Sequence, residues 1–267
     1  MTSDEKTDDA SPVPPQDPQA PVDPRIEARR QDVRSRRRLR VWITAGIVAV
    51  LAAIGFGVTQ SPLLDVDEIE VIGARRTGTA RVLEAAGIDL GTALLGLDLS
   101  GPTRSIAALP WVDQVRSSRT WSGKVTFDVT ERTAVGQIPI QEGWALVDLD
   151  GRALQTNPSR GTLPVVLFSP VPEPGDWLST RALPLLEASD ALISLQGEGI
   201  GAISWVDGQV TVDLPGAGMV HWGGRDDPYG KAVTLATFLA RVDLKCFEVI
   251  DLTVPEFPVL TRIDNCS

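Results

Sequence analysis

Hydrophobic positions fall into three patterns along this chain: an unbroken run, a helical spacing and a strand alternation. The unbroken run is residues 41–60, VWITAGIVAVLAAIGFGVTQ, which carries no charged side chain. A helix of that length rises about 1.5 Å per residue and reaches roughly 30 Å, the thickness of a bilayer's hydrocarbon core. Arg34, Arg36, Arg37, Arg38 and Arg40 precede it, and Asp65, Asp67 and Glu68 follow. Arginine on one flank and acid on the other predicts a single membrane span with its N-terminus in the cytoplasm and its C-terminus outside. A cleaved signal peptide would have a shorter apolar core and a small-residue cleavage site, which Gly-Val-Thr-Gln-Ser does not supply.

Beyond the span the alternating and helical patterns take over. Val66–Gly73 reads as a strand that Gly73 ends. Ala80–Ala86 reads as a helix capped by Thr77 or Thr79, with Gly87 at the left-handed C-terminal position. A second short helix spans Thr103–Leu109 and stops at Pro110. Trp111–Thr120 is a strand, Trp121-Ser122-Gly123 turns, and Lys124–Glu131 returns, with Val125, Phe127 and Val129 alternating against Thr126, Asp128 and Thr130. The order strand, helix, helix, strand, strand over residues 65–132 predicts a compact α+β module of about 70 residues, near the lower limit for independent folding.

Residues 133–261 predict a second, mostly β module, mixed or antiparallel, with two packed helices. Trp144–Leu154 reads as strand, Asp-Gly turn, strand. Leu163–Phe168 is an apolar strand. Ser179–Leu195 has helical spacing, and Ile200–Val206, Gln209–Leu214 and Met219–Trp222 form a meander. Tyr229–Arg241 is a helix, Phe247–Val254 a strand, and Val259–Thr261 a short last strand. Residues 262–267 are a tail.

Charge divides the chain unevenly. After residue 40 it holds 16 Lys and Arg against 27 Asp and Glu. An exported part this acidic argues against nucleic acid or an anionic lipid surface as its main partner. Residues 1–40 are expected to be a cytoplasmic tail, too poor in large apolar side chains through residue 24 to fold, with a basic block beside the membrane. Cys246 and Cys266 both fall in the predicted exported part, where a disulfide could persist; their spacing is equally compatible with two free thiols.

No catalytic constellation emerges. His221 is the one histidine, in an apolar strand, and one His with two Cys makes no zinc motif of common spacing. Asp226 and Asp227 are adjacent on a loop, where extended side chains diverge. The stretch from Gly224 to Lys231 does not match the phosphate-binding loop. Trp111, Trp144, Trp205 and Trp222 sit at strands, where core packing is the default. The expectation is a non-enzyme without metal or cofactor.

Three segments, Val66–Gly73, Leu109-Pro110-Trp111-Val112 and Val125–Arg132, resemble the POTRA domain of the FtsQ/DivIB family of cell division proteins. The second module resembles that family's β domain, through residues 223–231 and the Ile250-Asp251-Leu252 strand. In place of the family's usual Pro after the turn tryptophan, this chain has Ser122-Gly123. The resemblance implies a single-pass, non-enzymatic divisome scaffold in the cytoplasmic membrane at the septum. It also implies partners: FtsB and FtsL, and through them the septal peptidoglycan synthase FtsW–FtsI. In the family the last strand region takes FtsB by strand addition. Carried onto this chain, that predicts an edge strand with Val249, Asp251, Leu252, Thr253 and Val254 in contact and Phe257 as a nearby apolar anchor. Two alternatives belong to other classes. A POTRA-based transport or assembly component would normally carry further POTRA copies or a β-barrel. An exported cell-wall enzyme would need converging carboxylates.

Overall fold

The computed structural model describes residues 40–53, 65–195, 200–215, 218–241 and 247–263. The chain divides into two compact units, residues 1–61 and residues 62–267. In the first, residues 40–53 form a helix, α1. Its apolar side chains, Val41, Trp42, Ile43, Ile47, Val48, Val50 and Leu51 among them, are exposed. Thr44 satisfies its hydroxyl within the helix by donating to the carbonyls of Arg40 and Val41. Among the described residues no helix is long and apolar enough to cross a membrane. The last third of the expected span, residues 54–60, lies outside them, as do residues 1–39 of the expected tail and both cysteines.

The second unit opens with the predicted α+β pattern. β1 is Glu68–Ile72, α2 Thr79–Ala86, α3 Ser100–Ala107, β2 Val112–Arg119 and β3 Lys124–Glu131. The three strands make one sheet in the order β1-β3-β2, with β1 parallel and β2 antiparallel to β3. Alternation along β3 puts Val125, Phe127 and Val129 into the core beneath the helices, where they meet Val82 and Ile106. Gly87 takes the left-handed cap, its N–H returning to the Leu83 carbonyl. The other end of α2 differs from the threonine caps expected. Gly78 is the N-cap residue and no side chain caps it. The Glu131 carboxylate instead accepts the backbone N–H groups of Arg76 and Thr77 just upstream.

Residues 134–262 build a nine-stranded mixed sheet. Its strands are β4 Ala134–Ile140, β5 Gly143–Asp148, β6 Ala153–Asn157, β7 Val165–Val166, β8 Ala202–Val206, β9 Gln209–Leu214, β10 Gly218–Gly223, β11 Phe247–Asp251 and β12 Val259–Arg262. They run in the order β12-β11-β10-β9-β8-β7-β4-β5-β6. Helices α4, Leu183–Leu192, and α5, Pro228–Arg241, supply the core with Leu185, Leu186, Leu192 and Leu235 against Ile138, Ile203, Val212, Val220 and Ile250. The expected strand Leu163–Phe168 shrinks to β7, and β4 adds a strand that the sequence pattern did not announce.

The two sheets are joined by a polar junction. Arg132, directly after β3, donates to Asp148 (2.6 Å) and Asp150 (3.0 Å) and pairs with Asp113 (3.3 Å). Its Nε donates to the Val112 carbonyl. Arg152 reaches across to the Ala108 carbonyl, and both guanidiniums lie over the Trp177 ring, at 5.1 and 5.4 Å. A small cluster of Trp111, Leu146 and Leu154 seals the junction.

Candidate partner-binding surface

The sheet has two ends, and the strand at one of them is not the strand expected. β11 pairs with β10 in parallel, Val249 opposite Met219, and with β12 antiparallel, Val249 opposite Thr261. It is therefore an interior strand, and the edge is β12. The Val249–Val254 segment also ends as a strand at Asp251. The reason is local: the Asp251 carboxylate accepts the Thr253 backbone N–H at 2.8 Å, an Asx-type turn that takes the chain out of the ladder. The Thr253 hydroxyl, together with that backbone bond, holds the Asp251 carboxyl below its ordinary range.

The six residues predicted to meet a partner thus separate by role. Leu252 is fully buried, packed in the main core, with its N–H donated to the His221 carbonyl. Val249 and Asp251 are half-buried within the sheet. Thr253, Val254 and Phe257 are exposed, Phe257 by 77 %. They stand in the turn leading to β12, where Val259 is 61 % exposed. Among the described residues β12 is thus an unpaired backbone edge flanked by exposed apolar side chains, which suits strand addition by a partner with apolar anchors. The sequence reading places a short last strand at Val259–Thr261; what it does not give is that this strand, β12, lies outside β11 in the sheet.

The other residues weighed for chemistry have structural explanations. Asp227 sits at the start of α5 and caps it: its carboxylate accepts the Gly230 N–H and its carbonyl the Lys231 N–H. Lys231 is fully buried, its ammonium donating to the Gly224 carbonyl and so closing the loop between β10 and α5; burial pushes its pKa down. His221 is half-buried between Thr211 and Asp251 on the adjacent strands. Trp111 and Trp222 are core residues as expected, whereas Trp205 is exposed and donates its indole N–H to the Arg181 carbonyl. Among the described residues no group of three or more His, Cys, Asp or Glu is placed to hold a metal ion.

Comparison with known proteins adds the remaining facts. Residues 64–132 match the family model of the POTRA domain, FtsQ-type. The chain is 30 % identical over 205 residues to the cell division protein FtsQ of Corynebacterium glutamicum, a match covering 75 % of this chain and 90 % of that one. It is 28 % identical over 225 residues to that of Mycolicibacterium smegmatis, covering 84 % and 66 %. Against that of Mycobacterium tuberculosis it is 26 % identical over 237 residues, covering 89 % and 73 %.

Proposed function

The chain belongs to the FtsQ family of cell division proteins, and we propose that it works at the division septum as a non-catalytic scaffold. In this reading, residues 41–60 cross the cytoplasmic membrane once, with residues 1–40 in the cytoplasm. Residues 65–132 and 133–261 form the exported POTRA and β modules. Anchoring confines these modules to a thin layer at the membrane surface and raises their effective concentration for membrane-bound partners. The partners are FtsB and FtsL, and through them the septal synthase FtsW–FtsI. This assignment draws on the family resemblance.

One observation supports the docking surface above the others: among the described residues β12 is an open edge, with exposed Val259 on it and exposed Val254 and Phe257 in the turn that leads to it. A strand of the partner extends the sheet at β12, with Val254, Phe257 and Val259 as anchors. Thr253 lies beside them, and Val249, Asp251 and Leu252 act from beneath by holding β12 in register.

The test is co-purification of FtsB and FtsL with the full-length protein from detergent-solubilised membranes, beside a Val254→Asp, Phe257→Asp, Val259→Asp variant. All three positions are exposed, so the variant should melt like the wild type. Loss of both partners from the variant alone is expected. Retention by the variant would rule out this surface, and absence from the wild type would rule out the scaffold reading itself.

A further inference from the structure

The opposite end of the nine-stranded sheet carries a second surface, of different chemistry. β6 is the terminal strand there, paired among the described residues with β5 alone. Its first residue is covered: Ala153 exchanges backbone bonds with Gly175 and Asp176, and the Leu178 N–H returns to the Gly151 carbonyl. After Ala153 that cover ends, and Gln155 and Thr156 are exposed. They form one wall of a cleft of about 620 Å³, whose other wall is Arg76, Arg81, Pro110 and Trp111. The size is that of an ordinary ligand cleft, roughly 300–1,000 Å³.

Arg76 and Arg81 are exposed, and neither has a carboxylate at ion-pair distance among the described residues. They stand out in an exported part that holds 27 acidic against 16 basic residues. Nor is Arg76 a loose side chain. Its guanidinium lies 4.8 Å from the centroid of Trp111. The turn that carries it is clamped by Glu131 through two backbone N–H groups, and Trp111 is fixed by donating to Gln155. The cleft therefore presents a preorganised cation beside an open strand edge.

We propose that this cleft binds an extended acidic peptide segment of a partner protein, which pairs its main chain with β6 and sets carboxylates against Arg76 and Arg81. Two features select that occupant. The edge supplies main-chain donors and acceptors to any extended chain, while the two unpaired guanidiniums favour one whose side chains are acidic. A second copy of this chain is disfavoured, because joining two β6 edges brings like charges together. This surface is separate from β12, and its test is indifferent to what binds there.

The experiment is fluorescence anisotropy of the full-length protein in detergent micelles with labelled Thr-Glu-Val-Glu-Val-Glu-Thr, at low salt where surface charge is least screened. Three comparisons are made: the same peptide with Lys for Glu, the acidic peptide N-methylated at alternate residues, and the Arg76→Glu, Arg81→Glu protein. Arg76→Gln, Arg81→Gln serves as a milder variant, and thermal unfolding checks that both fold. The acidic peptide is expected to bind about tenfold more tightly than the Lys peptide. Glu substitution should reverse that preference, Gln substitution should abolish it, and N-methylation should remove binding. Equal binding of acidic and basic peptides, insensitivity to the arginine variants, or full binding of the N-methylated peptide would each overturn the proposal.

Discussion

Arg132 is a side chain whose removal should cost this protein heavily. Its guanidinium is 10 % exposed and the Asp148 carboxylate 5 %, at 2.6 Å. Replacing Arg132 by Met keeps the aliphatic stem and removes three carboxylate contacts, the bond to the Val112 carbonyl and the stacking on Trp177. The contacts to Asp113 and Asp150 contribute little, since both acids are substantially exposed. The dominant penalty is Asp148, left charged and buried. Breaking a buried pair by removing one partner costs about 3–5 kcal/mol. Asp148 keeps the Arg152 backbone N–H at 2.7 Å, which argues for the lower half of that range. At about 2–4 °C per kcal/mol for a unit of this size, the melting temperature should fall by roughly 6–16 °C. Thermal unfolding followed by tryptophan fluorescence reads it, with Trp111 and Trp177 at the junction as reporters. The control is Arg132→Met with Asp148→Leu, which leaves no orphan charge and should recover most of the loss. A single variant within 2 °C of wild type, or a double variant as unstable as the single, would refute the buried-pair argument.

Two further predictions test other parts of the architecture. Burial lowers the pKa of Lys231, so between that depressed value and the ordinary 10.5 the unfolded chain binds more protons than the folded one, and stability from this group rises with pH. Wild type should therefore gain stability relative to Lys231→Met as pH is raised toward 10.5, and parallel melting curves for the two across that range would contradict it. At Gly73, φ is +87° and an added Cβ would lie 2.0 Å from the Val129 carbonyl oxygen, whereas at Gly87 it would meet nothing. Gly73→Ala should accordingly destabilise the POTRA sheet by more than the roughly 1–2 kcal/mol left-handed penalty expected for Gly87→Ala, as read by hydrogen exchange of β1 and β3 amides.

What was legible in the sequence was whatever a local period encodes. The alternation Val125, Phe127, Val129 located β3 and its buried face, and the spacing Ala232, Leu235, Ala236 and Leu239 located α5. Illegible were features set by distant neighbours. β4 contains Gly136 and Pro139, residue types that disfavour a strand, yet it lies inside the sheet. Gly136 is there because an added Cβ would sit 3.0 Å from Ser189 Oγ, whose hydroxyl α4 uses to bond the Val135 carbonyl. Pro139 is tolerated because β7 is only two residues long and meets β4 at Gln137 alone, so no ladder bond is asked of residue 139 on that side. The Arg132–Asp148 pair was equally hidden, since nothing local to either residue announces that a turn sixteen residues away will bury them together.

Strand order is the extreme case of the same limit, and it is the one that matters for recognition. Both β11 and β12 read as short β-branched runs, and no periodicity distinguishes an inner strand from an outer one. What distinguishes them is burial: β11 contributes Phe247 and Ile250 to the interior, while β12 leaves Val259, Thr261 and Arg262 exposed. A partner that adds a strand needs a row of free backbone groups, which only the outermost strand owns. The residues that resemblance singled out therefore divide between those that support the proposed binding edge and those that flank it. A charge placed on Leu252 would break the core, whereas one on exposed Val254 or Phe257 should leave the fold intact and weaken only the proposed docking. Substitutions chosen from the sequence alone would have merged these two outcomes, and it is the position of each side chain relative to β12 that separates them.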